Sequence, residues 1–368
     1  MPIYMDRHDI PKEVTPAHVA KMHQEDLKVQ HLYGCKGMTY WCDPHRQVAF
    51  CLIEAPDREA INAMHQHAHG EVPHKIIEVD AKVVESFLGR IEDPEKKEDE
   101  DLLVIDESAF RTIMSIETSN FLHRMEAKQY SIFTQKFHHS VRNTLQKYQG
   151  RIVRQDNHRY LISFNTVTNA VLCALKIQSV FKYITPKFDP SIRQLHIGID
   201  AGTPVNEQEV IFGEITDTAR YMCEYLKDPL VVSSEVKLQY ENENRNARID
   251  LQAIRVLGPR EQKFLTRMVR FCEKRFADDA ISVPSFSRAL GCSKSKMYRL
   301  LKQLTGKSPN RFLREFRLRK ALEMLHRRSG SISEIAYETG FNNPAYFSKC
   351  FSESFGILPS KYLQQHLA

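Results

Sequence analysis

Apolar and polar positions change rhythm twice along the chain. Over residues 1–82, short runs rich in β-branched and aromatic residues (Ile3–His8, Gly37–Asp43, Val48–Ala55, Lys75–Val79) flank two longer segments, Pro16–Tyr33 and Arg58–His69, whose apolar residues recur three and four apart. The order predicts β-α-β-β-α-β, with a hairpin turn at Pro44–Arg46. Residues 106–256 repeat the theme, with strands expected at Arg111–Ile116, Arg151–Arg154, Arg159–Phe164 and Leu195–Asp200 and helices at Phe121–Tyr148 and Thr168–Phe181. From residue 262 to 368 only the helical period is found. The predicted fold class is multidomain: two ferredoxin-like α+β domains followed by an all-α domain. A length of 368 residues is too great for one core and agrees with that division.

Two joints are expected. Residues 83–105 read as a charged linker, because Glu92–Asp101 (EDPEKKEDED) offers no apolar residue to bury. LGPREQ at Leu257–Gln262 interrupts the periodicity a second time.

The all-α stretch contains one arrangement twice: a short helix, a turn with glycine, and a second helix that starts with polar residues. The first copy runs Pro284–Leu290, Gly291, then a helix from Lys294 to Leu304. The second has a capping box at Ser331 and Glu334, a stop at Gly340, and a new start at Asn343-Pro344. Met297, Leu300, Leu301 and Leu304 seat one second helix, and Phe347, Cys350 and Phe351 seat the other. The opposite faces carry Ser293, Lys294, Ser295, Lys296, Tyr298, Arg299 and Lys302, and Asn342, Asn343, Ala345, Tyr346, Ser348 and Lys349. Arginine and lysine can bond guanine, asparagine can bond adenine, and hydroxyls and lysines can hold phosphate. A helix from Pro309 to His326, capped by Ser308, would space the two faces about one DNA turn, roughly 34 Å, apart.

Charge sharpens this picture. The net charge of +6 divides into 20 basic against 9 acidic residues from Glu261 onward, and 32 against 37 before it. A polyanion is therefore the expected partner of the C-terminal domain alone. Ser331–Leu363 (SISEIAYETGFNNPAYFSKCFSESFGILPSKYL) and Gly291–Leu325 (GCSKSKMYRLLKQLTGKSPNRFLREFRLRKALEML) together resemble the double helix-turn-helix of the AraC family over about 100 of the 368 residues. The resemblance implies a transcription regulator that binds double-stranded promoter DNA.

Nine of the sixteen histidines lie in the first 82 residues. His65 and His69, four apart on a predicted helix, can face one transition-metal ion; His8 and His74 are further candidate ligands, with Cys35 and Cys51 as soft alternatives. YMDRHD and the stretch from His31 to Val79 resemble a small bacterial nickel-binding family with a ferredoxin-like dimer fold. That resemblance implies nickel as the metal.

In the middle stretch, Arg151–Phe181, Leu195–Val205 (LHIGIDAGTPV) and Ile211–Leu226 (IFGEITDTARYMCEYL) resemble the class III nucleotidyl cyclases. Cyclase chemistry uses two aspartates to hold the metal ions that bind the triphosphate. Here the resemblance puts Glu117 at the first aspartate and an Asn157-His158-Arg159 turn at the second, while Thr216 replaces a ribose-orienting asparagine and Arg220 keeps the arginine. The expected role is a catalytically dead unit for dimerisation or ligand binding. The sequence as a whole thus predicts a cytoplasmic homodimeric regulator, not an enzyme, that answers to a metal or small-molecule effector. It shows no run of apolar residues long enough for a membrane span, no secretory start, and scattered, reduced cysteines. The alternatives from other classes are a divergent cyclase with a DNA-binding tail and a metal-storage protein.

Overall fold

A computed structural model describes residues 1–95, 102–120, 127–184, 193–245, 250 and 252–365. The N-terminal part runs β1 (Ile3–Asp9), α1 (Pro16–Val29), β2 (Lys36–Asp43), β3 (Val48–Glu54), α2 (Arg58–Ala68), β4 (Lys75–Val79) and α3 (Ala81–Leu88). Its strands form an antiparallel sheet in the order β2-β3-β1-β4. Alternation along β1 gives the two faces different neighbours. Tyr4 joins Val19, Ala20, Ile61 and Met64 beneath α1 and α2, whereas Met5 packs with Trp41, Phe50, Leu52 and Ile77 on the other face.

The middle part is built from β5 (Arg111–Asn120), α4 (Ala127–Lys147), β6 (Arg151–Gln155), β7 (Arg159–Phe164), α5 (Val167–Ile184), β8 (Arg193–Gly202), α6 (Gly213–Tyr225), β9 (Leu230–Ser233), α7 (Ser234–Glu243) and β10 (Arg255–Leu257). Strand order is β10-β9-β8-β5-β7-β6, with β5 antiparallel to both neighbours and β8, β9 and β10 parallel. Phe133, Phe137 and Val141 of α4 and Val171 and Ile177 of α5 close one face. On the opposite face α6 lies directly on β8: a Cβ at Gly198 would sit 2.1 Å from the Ala219 carbonyl oxygen, so only glycine allows the approach.

The C-terminal part is helical: α8 (Pro259–Arg275), α9 (Val283–Ala289), α10 (Lys294–Thr305), α11 (Pro309–Arg327), α12 (Ile332–Glu338), α13 (Pro344–Phe355) and α14 (Pro359–Gln365). Caps set these boundaries. Ser282, Ser293, Ser308, Ser331 and Asn343 each accept a first-turn N–H, and Gly306 and Gly356, both left-handed, end α10 and α13.

The structure corrects the linker expected over 83–105. Most of α3 lies within that range and buries Val84, Phe87 and Leu88, while Ile105 is buried and Leu102 and Leu103 pack on the N-terminal core. Val84, Phe87 and Leu88 form an amphipathic stripe just before the charged run and dock α3 on the fold; residues 96–101 lie outside those described. The joint at Leu257–Gln262 is a direct passage from β10 into α8, with Gly258 as N-cap and Pro259 in the first turn. The helix expected from Phe121 begins at Ala127 among the described residues, and the expected Pro16–Tyr33 helix ends at Val29 in a 3₁₀ turn over Gln30–Tyr33. No described helix is long and apolar enough to cross a membrane.

Candidate nucleic-acid interface and metal centre

Both predicted reading faces lie open. Lys294, Ser295, Lys296, Tyr298, Arg299 and Lys302 on α10, and Ala345, Tyr346 and Lys349 on α13, are exposed, as are Ser293, Asn342 and Asn343 just before the helices; Ser348 is half-buried. Two of these residues have structural work as well. The Ser293 hydroxyl accepts from the Lys296 N–H, and Asn343 Oδ1 accepts from the N–H groups of Ala345 (2.8 Å) and Tyr346 (3.0 Å). Engaged in this way, Asn343 keeps only its amide N–H₂ for a base edge, so two-point adenine recognition by Asn343 requires giving up the cap. The burden falls on Lys296, Arg299, Tyr346 and Lys349.

Beneath the faces the two units are built differently. Met297, Leu301 and Leu304 of α10 share one core with Tyr221, Met222 and Tyr225 of α6 and with Leu226 just after it. Phe347, Cys350 and Phe351 of α13 belong to a separate core with Leu318, Ala321 and Leu325 of α11. At the turn before α13, a Cβ on Gly340 (φ +78°) would stand 2.6 Å from the Phe276 carbonyl oxygen, so glycine is required there for conformation and space alike.

The N-terminal histidines sort into three kinds. His23 pairs with Asp93 (3.0 Å), His67 meets the Tyr33 hydroxyl (3.0 Å), and His18 completes the α1 capping box; these are structural. His74 is exposed, and its Nδ1 accepts from the Asp9 N–H at 3.1 Å; among the described residues it joins no ligand cluster. The fold instead gathers His65 and His69 with Asp26 of α1, and His8 with Asp6 and Cys51. Cys35, though buried, joins neither group.

Asp26 Oδ1, His65 Nδ1 and His69 Nε2 form a triangle with edges of 3.0, 3.2 and 3.3 Å. Two ligands about 2.0–2.1 Å from one transition-metal ion are separated by about this much. His65 Nε2 bonds Asp6 Oδ2 at 3.0 Å, which links the two clusters. Burial alone would raise the Asp6 and Asp26 carboxyls, but His8 and His65 hold Asp6, and His65 and His69 hold Asp26, below the usual carboxylate range. Burial opposes a charged His65, yet Asp26 and Asp6 outweigh it and raise its pKa to about 10. Burial, then Asp6, drives the Cys51 thiol upward. One further observation favours a cation: buried His8 Nε2 has no aligned hydrogen-bond partner and lies 3.4 Å from Asp6 Oδ1. The residues present therefore fit a metal of imidazole and carboxylate preference. Asp6 and Asp26 were missed in the sequence.

In the middle part, Glu117 is buried on β5, where it accepts from Arg159 (3.1 Å) and from Arg319 of α11 (3.0 Å). Burial would raise its carboxyl, but Arg319 and Arg159 pull it down to about 2. Glu117 and His158 belong to no ligand cluster among the described residues.

With this geometry in view, residues 286–365 match a family model described as "Helix-turn-helix domain", and residues 4–79 match one described as "Nickel responsive protein SCO4226-like". The chain is 31% identical over 153 residues to "Histidine kinase P4" of Formosa agariphila, covering 39% of this chain and 11% of that protein. It is 33% identical over 95 residues to "HTH-type transcriptional activator RhaS" of Escherichia coli, covering 26% of this chain and 34% of the relative. Among solved structures, SCO4226 from Streptomyces coelicolor A3(2) is 31% identical, with 21% of this chain and 94% of that one covered, at a TM-score of 0.20. The chain thus spans about a tenth and a third of the length of the two curated relatives. The matches support an AraC-type helix-turn-helix DNA-binding domain at the C-terminus and a nickel-responsive likeness at the N-terminus.

Proposed function

We propose that this protein is a DNA-binding transcription regulator that reads duplex promoter DNA with α10 and α13 and answers to a transition metal held by its N-terminal part. The observation that carries the reading is the pair of capped, solvent-facing helices on a strongly basic domain, in the segment that matches the helix-turn-helix model. Arg299 and Lys296 on one helix, and Tyr346 and Lys349 on the other, supply base and phosphate contacts. α11, 19 residues long, spaces the units by about 28 Å at 1.5 Å per residue.

The metal reading places His65, His69 and Asp26 around one ion, with His8 and Asp6 adjacent, and nickel is the candidate by family likeness. A bound cation would supply positive charge now provided by the proton on His65, and the same residues tie β1, α1 and α2 together. The strand orders support ferredoxin-like topology for the N-terminal part and for the β5-to-β8 core. We read the middle part as a cyclase-like fold without catalysis, because the Glu117 carboxylate is committed to two guanidinium groups. A cytoplasmic location and a homodimer complete the reading.

The test begins with enrichment of duplexes from a random library by the full chain. A duplex bound with an affinity that falls steeply with salt, and lost in Arg299→Ala/Lys349→Ala, is the expected result. Retained binding in that variant would refute the assignment of the faces. Calorimetry with nickel should show a site that weakens at least tenfold in His65→Ala/His69→Ala.

A further inference from the structure

The middle part and the DNA-binding domain meet at a buried charged node, and DNA reading as described above does not require it. Arg319 projects from the middle of α11. Its Nη1 donates to both Glu117 carboxylate oxygens (3.3 and 3.0 Å) and its Nη2 to the Glu224 carbonyl oxygen (3.2 Å). Its guanidinium also stands over the Tyr225 ring at 5.5 Å, and Arg159 and Arg220 surround the Glu224 carboxylate. Apolar contact continues the node. Tyr225 stacks on Phe316 at 5.6 Å, and the Lys227 N–H donates to the Leu304 carbonyl, at the end of α10. The first reading unit therefore shares its core with α6.

The other side of α6 rests on the N-terminal sheet. Phe212, Ile215 and Ala219 pack in the cluster that holds Met5, Trp41 and Leu52. The loop that enters α6 is tied to the same part, through Lys75 to the Glu207 carbonyl (2.9 Å) and Arg58 to Glu209 (2.8 Å). One helix thus touches both the sheet that carries the histidine cluster and the unit that carries α10. The docked arrangement leaves both reading faces in solvent.

We propose that the Arg319 node is a conformational lock: it holds α11 and the first reading unit on α6 in the arrangement that binds DNA, and opening it lowers DNA affinity. The lock rests on the DNA-binding reading but not on a metal. α11 joins the two units, so a fixed α11 presets their relative placement, and a free one must be ordered at the moment of binding.

The test uses the full chain and the tightest duplex enriched by the wild type. Glu117→Gln/Glu224→Gln keeps side-chain volume and removes two negative charges, so simple electrostatics predicts tighter binding. The lock predicts at least threefold weaker binding at fixed salt, with faster amide exchange over 213–225 and 309–327. Adding Arg319→Met should cost less in that variant than in the wild type, because both carboxylates are already gone and only the Glu224 carbonyl and the Tyr225 ring are left to lose. Affinity within threefold of wild type, or tighter, overturns the proposal. Should the variant fail to fold, the unaltered protein decides: exchange over 213–225 should stay the same or slow when the duplex is added, and faster exchange there overturns the lock. Failure to enrich any duplex would count against the DNA-binding reading itself, a separate outcome.

Discussion

The two helix-turn-helix units have the same local design and opposite dependence on their surroundings. In the first, Met297, Leu301 and Leu304 complete a core whose other wall is α6 of the middle part. In the second, Phe341, Phe347, Phe351 and Tyr362 close a core of their own against the C-terminal half of α11. One tie backward is Arg317, whose guanidinium donates to the carbonyl oxygens of Phe276 (2.8 Å) and Asp278 (2.7 Å). One reading face is therefore carried by a large body and the other by a small satellite. Two exposed reading helices can be given different mobility by what lies under them.

The largest effects should come from breaking the two cores separately. Phe351→Ala should cost about 3–5 kcal/mol. Its exchange signature should be confined to α12, α13 and α14, with α10 still protected. Phe316→Ala should cost a similar amount but loosen α6 together with α10, because Phe316 stacks on Tyr225. If both variants melt the same residues, the units are not distinct.

Next in size is Arg319→Ala. Removing one partner of a buried pair costs about 3–5 kcal/mol at most, and Arg159 remains to compensate Glu117, so the lower end is expected. Denaturant unfolding should show the loss in the transition of the middle part and first unit. On the surface, Arg299→Ala should weaken binding by about 1–3 kcal/mol and relax specificity at one base, whereas Lys349→Ala should weaken all duplexes alike and lower the salt slope by about 1. Titrations on matched and mismatched duplexes separate the two behaviours.

The smallest effect concerns pH. Asp200, on β8, is fully buried; burial, against bonds from Ser233 and the Ala201 N–H, raises its carboxyl to about 7. A carboxyl raised on folding binds its proton more tightly in the native state, so its contribution is present at low pH and declines as pH rises from about 4 toward 7. Asp200→Asn should flatten that decline for the body containing the first unit. The second unit should show no change.

Much of this was legible in the sequence where the signal is local. Caps, glycine stops and helical stripes announced both units, and the four-residue spacing of His65 and His69 placed them on one face. Asp6 carries a local signal, for on a strand it shares a face with His8, two residues on. Asp26 had none, since α1 and α2 bring it to His65 from 39 residues away. His74, just before β4, accepts from the Asp9 N–H instead of joining either cluster among the described residues. The Arg319–Glu117 pair spans 202 residues, and Glu117 could be noticed only as a departure from an expected aspartate. Asn343 illustrates a conflict between levels, for the residue type that reads adenine is also the type that caps helices.

The most direct test of the account is a binding titration of the full chain on its enriched duplex, with wild type, Arg299→Ala and Lys349→Ala compared over a range of salt. The account predicts nanomolar-range binding that each substitution weakens, one by losing specificity and the other by losing salt dependence. Binding that neither substitution affects would contradict the central claim that these two faces read DNA.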